Sequence, residues 1–84
     1  MEYDREMAER LRQLCAMSFL DIGDFIEYAE IPPHTLDKYY AGDCGAIPDE
    51  HLRKLAAMFR CSPEELCAML KGELRLKGRY QRRI

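Results

Sequence analysis

No apolar run in the 84-residue sequence approaches the roughly 20 residues that span a bilayer. With 33% charged residues, that absence argues against a membrane role. The opening stretch, MEYDREMAER, is charged and helix-like and holds no apolar signal segment. A cytoplasmic location is expected. None of the four cysteines is spaced Cys-x-x-Cys, which removes the usual zinc and redox pairings. Cys15, Cys61 and Cys67 sit among apolar residues of expected helices and read as reduced core thiols, with Cys44 in a loop. A metal site joining Cys44 to His34 or His51 is the alternative reading. There is no Gly-rich phosphate loop, no His-Glu-x-x-His and no legible Ser/His/Asp arrangement. The paired carboxylates Asp49-Glu50 and Glu64-Glu65 fall at helix starts, where capping explains them. The expectation is a protein without enzymatic activity, metal or cofactor. Internal repeats and low-complexity segments are also missing.

What is present is one small domain. At this length a chain buries only about 60–65% of its unfolded surface, so the core is thin, and 48% apolar residues suffice for it. The net charge of −2 is unevenly spread. From residue 71 onward, Lys71, Arg75, Lys77, Arg79, Arg82 and Arg83 stand against Glu73 alone, a balance of +5 that leaves −7 on the first seventy residues. A simple nucleic-acid binder does not usually pair an acidic body with a basic tail.

Apolar spacing divides the body into five short helices. Met7, Leu11, Leu14 and Cys15 or Ser18 repeat at helical steps over residues 4–17, with Asp4 as cap. A second helix begins after Leu20, capped by Asp21, and carries Ile22, Phe25, Ile26 and Ala29 on one face. A corner falls near Glu30-Ile31. The next helix starts at Pro32-Pro33, turns Leu36, Tyr39 and Tyr40 inward and ends at Gly42. Residues 41–47 form a loop, and Pro48 opens a helix with Leu52, Leu55, Ala56 and Phe59 inside. Ser62-Pro63-Glu64-Glu65 starts the last helix, which buries Leu66, Met69 and Leu70. Two helices around a tight corner form a helix-turn-helix pattern. The domain is taken as residues 1–71 and the basic tail as 72–84. In the tail, Leu74 and Leu76 alternate with Arg75 and Lys77, which suits a short strand as well as a helix end.

Residues 5–70 resemble the lambda-repressor-like, Cro-type helix-turn-helix family. Leu20-Asp21 stands where that family starts its second helix. Phe25, Ala29, Ile31, Leu36 and Tyr39 occupy its apolar positions without a gap. Thr35-Leu36 matches its Thr-Ile, Gly42 its closing Gly, and Pro48 with Leu52-x-x-Leu55-Ala56 its following helix. Cys61-Ser62-Pro63-Glu64-Glu65-Leu66 resembles its Val-Ser-x-x-Glu-Leu. The chain departs from the pattern in several places. Glu30 replaces the usual corner Gly, so it must accept a left-handed backbone or reshape the turn. Ile26 stands for an Ala, Ile22 for a frequent DNA-touching Gln, and Pro32 and Pro33 for Ser and Arg. The loop after Gly42 is one residue longer than usual.

The resemblance implies an all-α domain whose helix from Pro33 enters the major groove of double-stranded DNA. Pro33, His34, Thr35, Asp37 and Lys38 are then the exposed binding positions. His34 and Thr35 can bond base edges or phosphates, and Lys38 can meet a phosphate or a guanine. Pro33 can touch a thymine methyl group, and Asp37 can accept only from a cytosine amine. The implied function is that of a sequence-specific, repressor-like transcriptional regulator of bacterial or phage type. A homodimer is expected because one short helix reads few bases. The alternative is the same fold kept as a protein–protein interaction module. It draws on Asp21, Asp24, Glu27 and Glu30, which set four acids against the single Lys38. On a plainer view, His34 and Lys38 are solvated side chains, Tyr39 and Tyr40 are core and rim, and the tail only aids solubility.

Overall fold

Asp4 begins the first helix as its composition demands: its carboxylate accepts a 2.9 Å hydrogen bond from the Met7 amide. The computed structural model describes residues 1–18 and 30–76. Among these it holds four helices: α1 (Arg5–Met17), α2 (Pro33–Ala41), α3 (Asp49–Met58) and α4 (Pro63–Leu70). All match the expected positions to within a residue or so. The helix expected after Leu20, with Ile22, Phe25, Ile26 and Ala29, lies outside the described residues, as does the tail beyond residue 76.

α1 packs against α2 and α4, and α3 packs against α4. Their shared core is built from Leu11 and Leu14 of α1, Leu36 of α2, Leu55 of α3 and Leu66 and Leu70 of α4, closed by Ile47 and Phe59. Each such side chain contributes roughly 1.5–3 kcal/mol by leaving water. In a domain this small, losing one is a large share of the net stability. α4 starts as its sequence foretells, with Ser62 Oγ accepting from the Glu65 amide at 3.1 Å and Pro63 in the first turn.

Three of the helix ends share one construction. After α2, α3 and α4 a residue adopts positive φ, and its own amide and the next one bond back to helix carbonyls. Gly42 and Gly72 fill that position after α2 and α4, but Arg60 fills it after α3 with φ 54°.

Two details differ from the sequence reading, and the pairing of the first residues goes beyond it. Cys61 and Cys67 are half-buried, Cys61 just before α4 and Cys67 within it; Cys15 alone of the expected core thiols is buried. Leu74 and Leu76 form no strand: the chain bends after α4, leaving Leu74 exposed and returning Leu76 onto the core. The first residues are not idle. Tyr3 N donates to Gly45 O at 3.1 Å and Ile47 N to Met1 O at 2.8 Å, around an antiparallel bridge between Glu2 and Ala46. The α2–α3 loop, noted for its extra length, thus has a backbone partner. Among the described residues, no helix is long and apolar enough to cross a membrane.

Candidate nucleic-acid interface

The entry to α2 is set by three residues. Glu30 takes the left-handed conformation, φ 56°, so of the two ways to replace a corner glycine the chain uses the first. Ile31 then drops into the core. Pro32 is extended (φ −54°, ψ 138°), as the ring of the following Pro33 requires, and its carbonyl accepts from the amides of Thr35 and Leu36. Pro33 occupies the first helical turn, where a missing N–H costs little.

The inner side of α2 is fixed by polar as well as apolar contacts. Leu36 and Tyr39 are buried. Tyr3 Oη donates to the Tyr39 carbonyl at 2.6 Å, and the two rings meet edge to face. Tyr39 Oη lies 2.6 Å from His51 Nδ1, linking α2 to α3. Burial raises the Tyr39 phenol above its ordinary range, so it is neutral at physiological pH. With a neutral imidazole it donates to Nδ1. Arg12 donates to the Tyr40 carbonyl, and Cys15 Sγ sits 3.5 Å from Tyr40 Oη. A guanidinium at a helix C-terminus also complements the helix dipole.

With that side held, the other faces outward. Pro33, His34, Asp37 and Lys38 are exposed as expected. Thr35 is a correction: it is half-buried, because at about 100° per residue it falls between the outer face and buried Leu36 and Tyr39. Ala41 is exposed and was missed. It lies seven residues after His34, on the same line along the helix, with Asp37 and Lys38 to either side. A small apolar residue gives no sequence signal of exposure; only its seven-residue spacing from His34 would have revealed it.

The charges on this face are sparse. Lys38 is the only cation on α2, Asp37 lies beside it in sequence, and Glu30 is exposed at the corner. Lys54 of α3 reaches toward that corner, with its Nζ 3.5 Å from the Glu30 carbonyl and 3.7 Å from Glu50 Oε1. At the far end of α2, Arg5 is exposed and its backbone lies against Gly42. Cys44 is half-buried, and burial pushes its thiol up. His51 is turned to Tyr39, and among the described residues no three His, Cys, Asp or Glu side chains gather in a metal-binding group.

Glu30 makes a left-handed corner, Leu36 and Tyr39 are buried, and the remaining side of α2 faces outward from its supporting helices. The model of the Cro/C1-type helix-turn-helix DNA-binding domain matches residues 10–71. The chain belongs to that family. The match runs from α1 through α4 and so spans the helix that carries His34 and Lys38. No curated protein and no solved structure matches the chain.

Proposed function

We propose that the chain is a sequence-specific transcriptional regulator that binds double-stranded DNA as a homodimer, laying α2 in the major groove. Family membership supplies the DNA-binding part of this reading. The observation that carries the rest is the outward face of α2. Pro33, His34, Asp37, Lys38 and Ala41 are exposed together, while Leu36, Tyr39 and three hydrogen-bonded anchors hold the helix from behind. His34 donates to base edges, Lys38 neutralises a phosphate or donates to guanine, and Pro33 and Ala41 offer apolar contact to thymine methyl groups. Thr35 reaches a phosphate from the rim. The role is binding, with no catalytic step.

A second reading also has an observation behind it. The face carries one cation against Asp37 and Glu30, and Lys54 is engaged by Glu50 and the Glu30 carbonyl. Such a face suits a basic protein partner. Selection of bound duplexes from a random pool by the full chain separates the two. An enriched motif with two half-sites about one helical turn apart supports the dimeric regulator. No enrichment, even at low ionic strength, supports the interaction module.

A further inference from the structure

Asp37 stands out on a surface meant for a polyanion. It is exposed, and it has no ion pair or hydrogen bond among the described residues. Lys54, at the corner, is turned to Glu50. On the helix, Asp37 follows His34 by three residues and Pro33 by four, so these three side chains are neighbours on one strip. Lys38 lies across the line through His34 and Ala41.

Reach decides what each ion can meet. Lysine has a four-carbon stem and can extend to the groove wall, where the phosphates are. Aspartate has a single methylene, so its carboxylate faces whatever the helix backbone itself approaches. For a helix seated in the major groove, that is the base edges. An ionised carboxylate only accepts hydrogen bonds. Guanine offers N7 and O6, and thymine offers O4 and a methyl group, none of which can donate. Adenine offers a donor beside an acceptor that repels the second carboxylate oxygen. Cytosine offers N4–H₂ alone.

We propose that Asp37 is a specificity residue that requires cytosine at one position of each half-site, with His34 donating to the base of a neighbouring pair. This rests on the DNA-binding reading above and goes beyond it by naming the base. Asp37 also acts against the other three bases: guanine and thymine leave the carboxylate desolvated and unpaired, and adenine sets its N7 against one carboxylate oxygen, so the residue selects by penalty as well as by attraction.

The test is parallel selection from a random duplex pool by the full chain, Asp37→Asn and Asp37→Ala. All three are expected to remain folded, because the side chain is exposed and has no partner among the described residues. The natural chain is expected to require cytosine at one position, with any other base there weakening binding about 5- to 100-fold. Asp37→Asn is expected to change that one preference to adenine, since an amide pairs with adenine N6 and N7. Asp37→Ala is expected to lose preference there while keeping it elsewhere. Identical motifs for all three proteins overturn the assignment of Asp37 and leave DNA binding standing. Failure of the natural chain to enrich any motif overturns both.

Discussion

A Cβ built on Gly42 falls 2.7 Å from the Cα of Arg5 and 3.1 Å from its amide nitrogen. The obstacle is backbone, which cannot rotate away. Gly42 also holds φ 75°, where any side chain is strained. The start of α1 and the end of α2 therefore approach this closely only because residue 42 has no side chain. Gly42→Ala is expected to destabilise the domain by about 2–4 kcal/mol, from left-handed strain plus overpacking. Urea unfolding measures it. Gly45→Ala is the control: a Cβ there meets nothing within 4 Å, and little change is expected.

Arg60 and Glu30 make the opposite case. Both hold positive φ with a side chain in place. Glu30→Gly should relieve strain, offset in part by the greater freedom of the unfolded chain. A net gain of roughly 0.5–1 kcal/mol is expected in thermal or urea unfolding. Arg60 makes a further interaction, so Arg60→Gly is expected to gain less than Glu30→Gly. A loss at Glu30 would show that its side chain makes contacts worth more than the strain.

Ser18 is fully buried at the end of α1, and its hydroxyl has no hydrogen-bond partner among the described residues. A buried, unmade bond of this kind costs about 1–3 kcal/mol. Ser18→Ala is thus expected to leave stability unchanged or raise it by about 1 kcal/mol. Most changes at fully buried positions do the reverse.

The Cys15 thiol is pushed up to about 11 from an ordinary value of 9.0, chiefly by burial, with the Tyr40 hydrogen bond acting the other way. The folded state therefore holds the thiol proton more tightly than the unfolded one. Its contribution is complete below pH 9 and is lost as pH rises toward about 11. The size is about 2–3 kcal/mol. Unfolding measured from pH 8 to 11 should show this decline, and Cys15→Ala should make it shallower, leaving the part due to Tyr3, Tyr39 and Cys44, whose protons burial also holds more tightly.

How much of this was legible follows from how local each signal is. Asp4 with Met7, and Ser62 with Glu65, are bonds between residues three apart, so residue type and spacing reveal them. The stripe of Leu36 and Tyr39 and the Gly42 stop are local in the same sense. Tyr3 is different. It supports α2 through a bond to a residue 36 positions away, and no periodicity in a three-residue segment can announce that. His51 likewise reads as a polar helix residue until Tyr39 is placed beside it. Arg60 escaped notice because the sequence rule for a left-handed helix end looks for glycine. The family resemblance places Thr35 outside, whereas its angle on this helix puts it at the rim.

The central claim is that the outward face of α2 binds DNA, and salt dependence tests it most directly. Affinity of the full chain for its selected duplex should be measured across a range of salt, beside His34→Ala and Lys38→Ala. The expected result is a steep linear fall in log affinity with log salt for the natural chain. Lys38→Ala should weaken binding and reduce the slope by about one, and His34→Ala should weaken binding at an unchanged slope. An affinity that ignores salt, or is the same for all three proteins, would contradict the account.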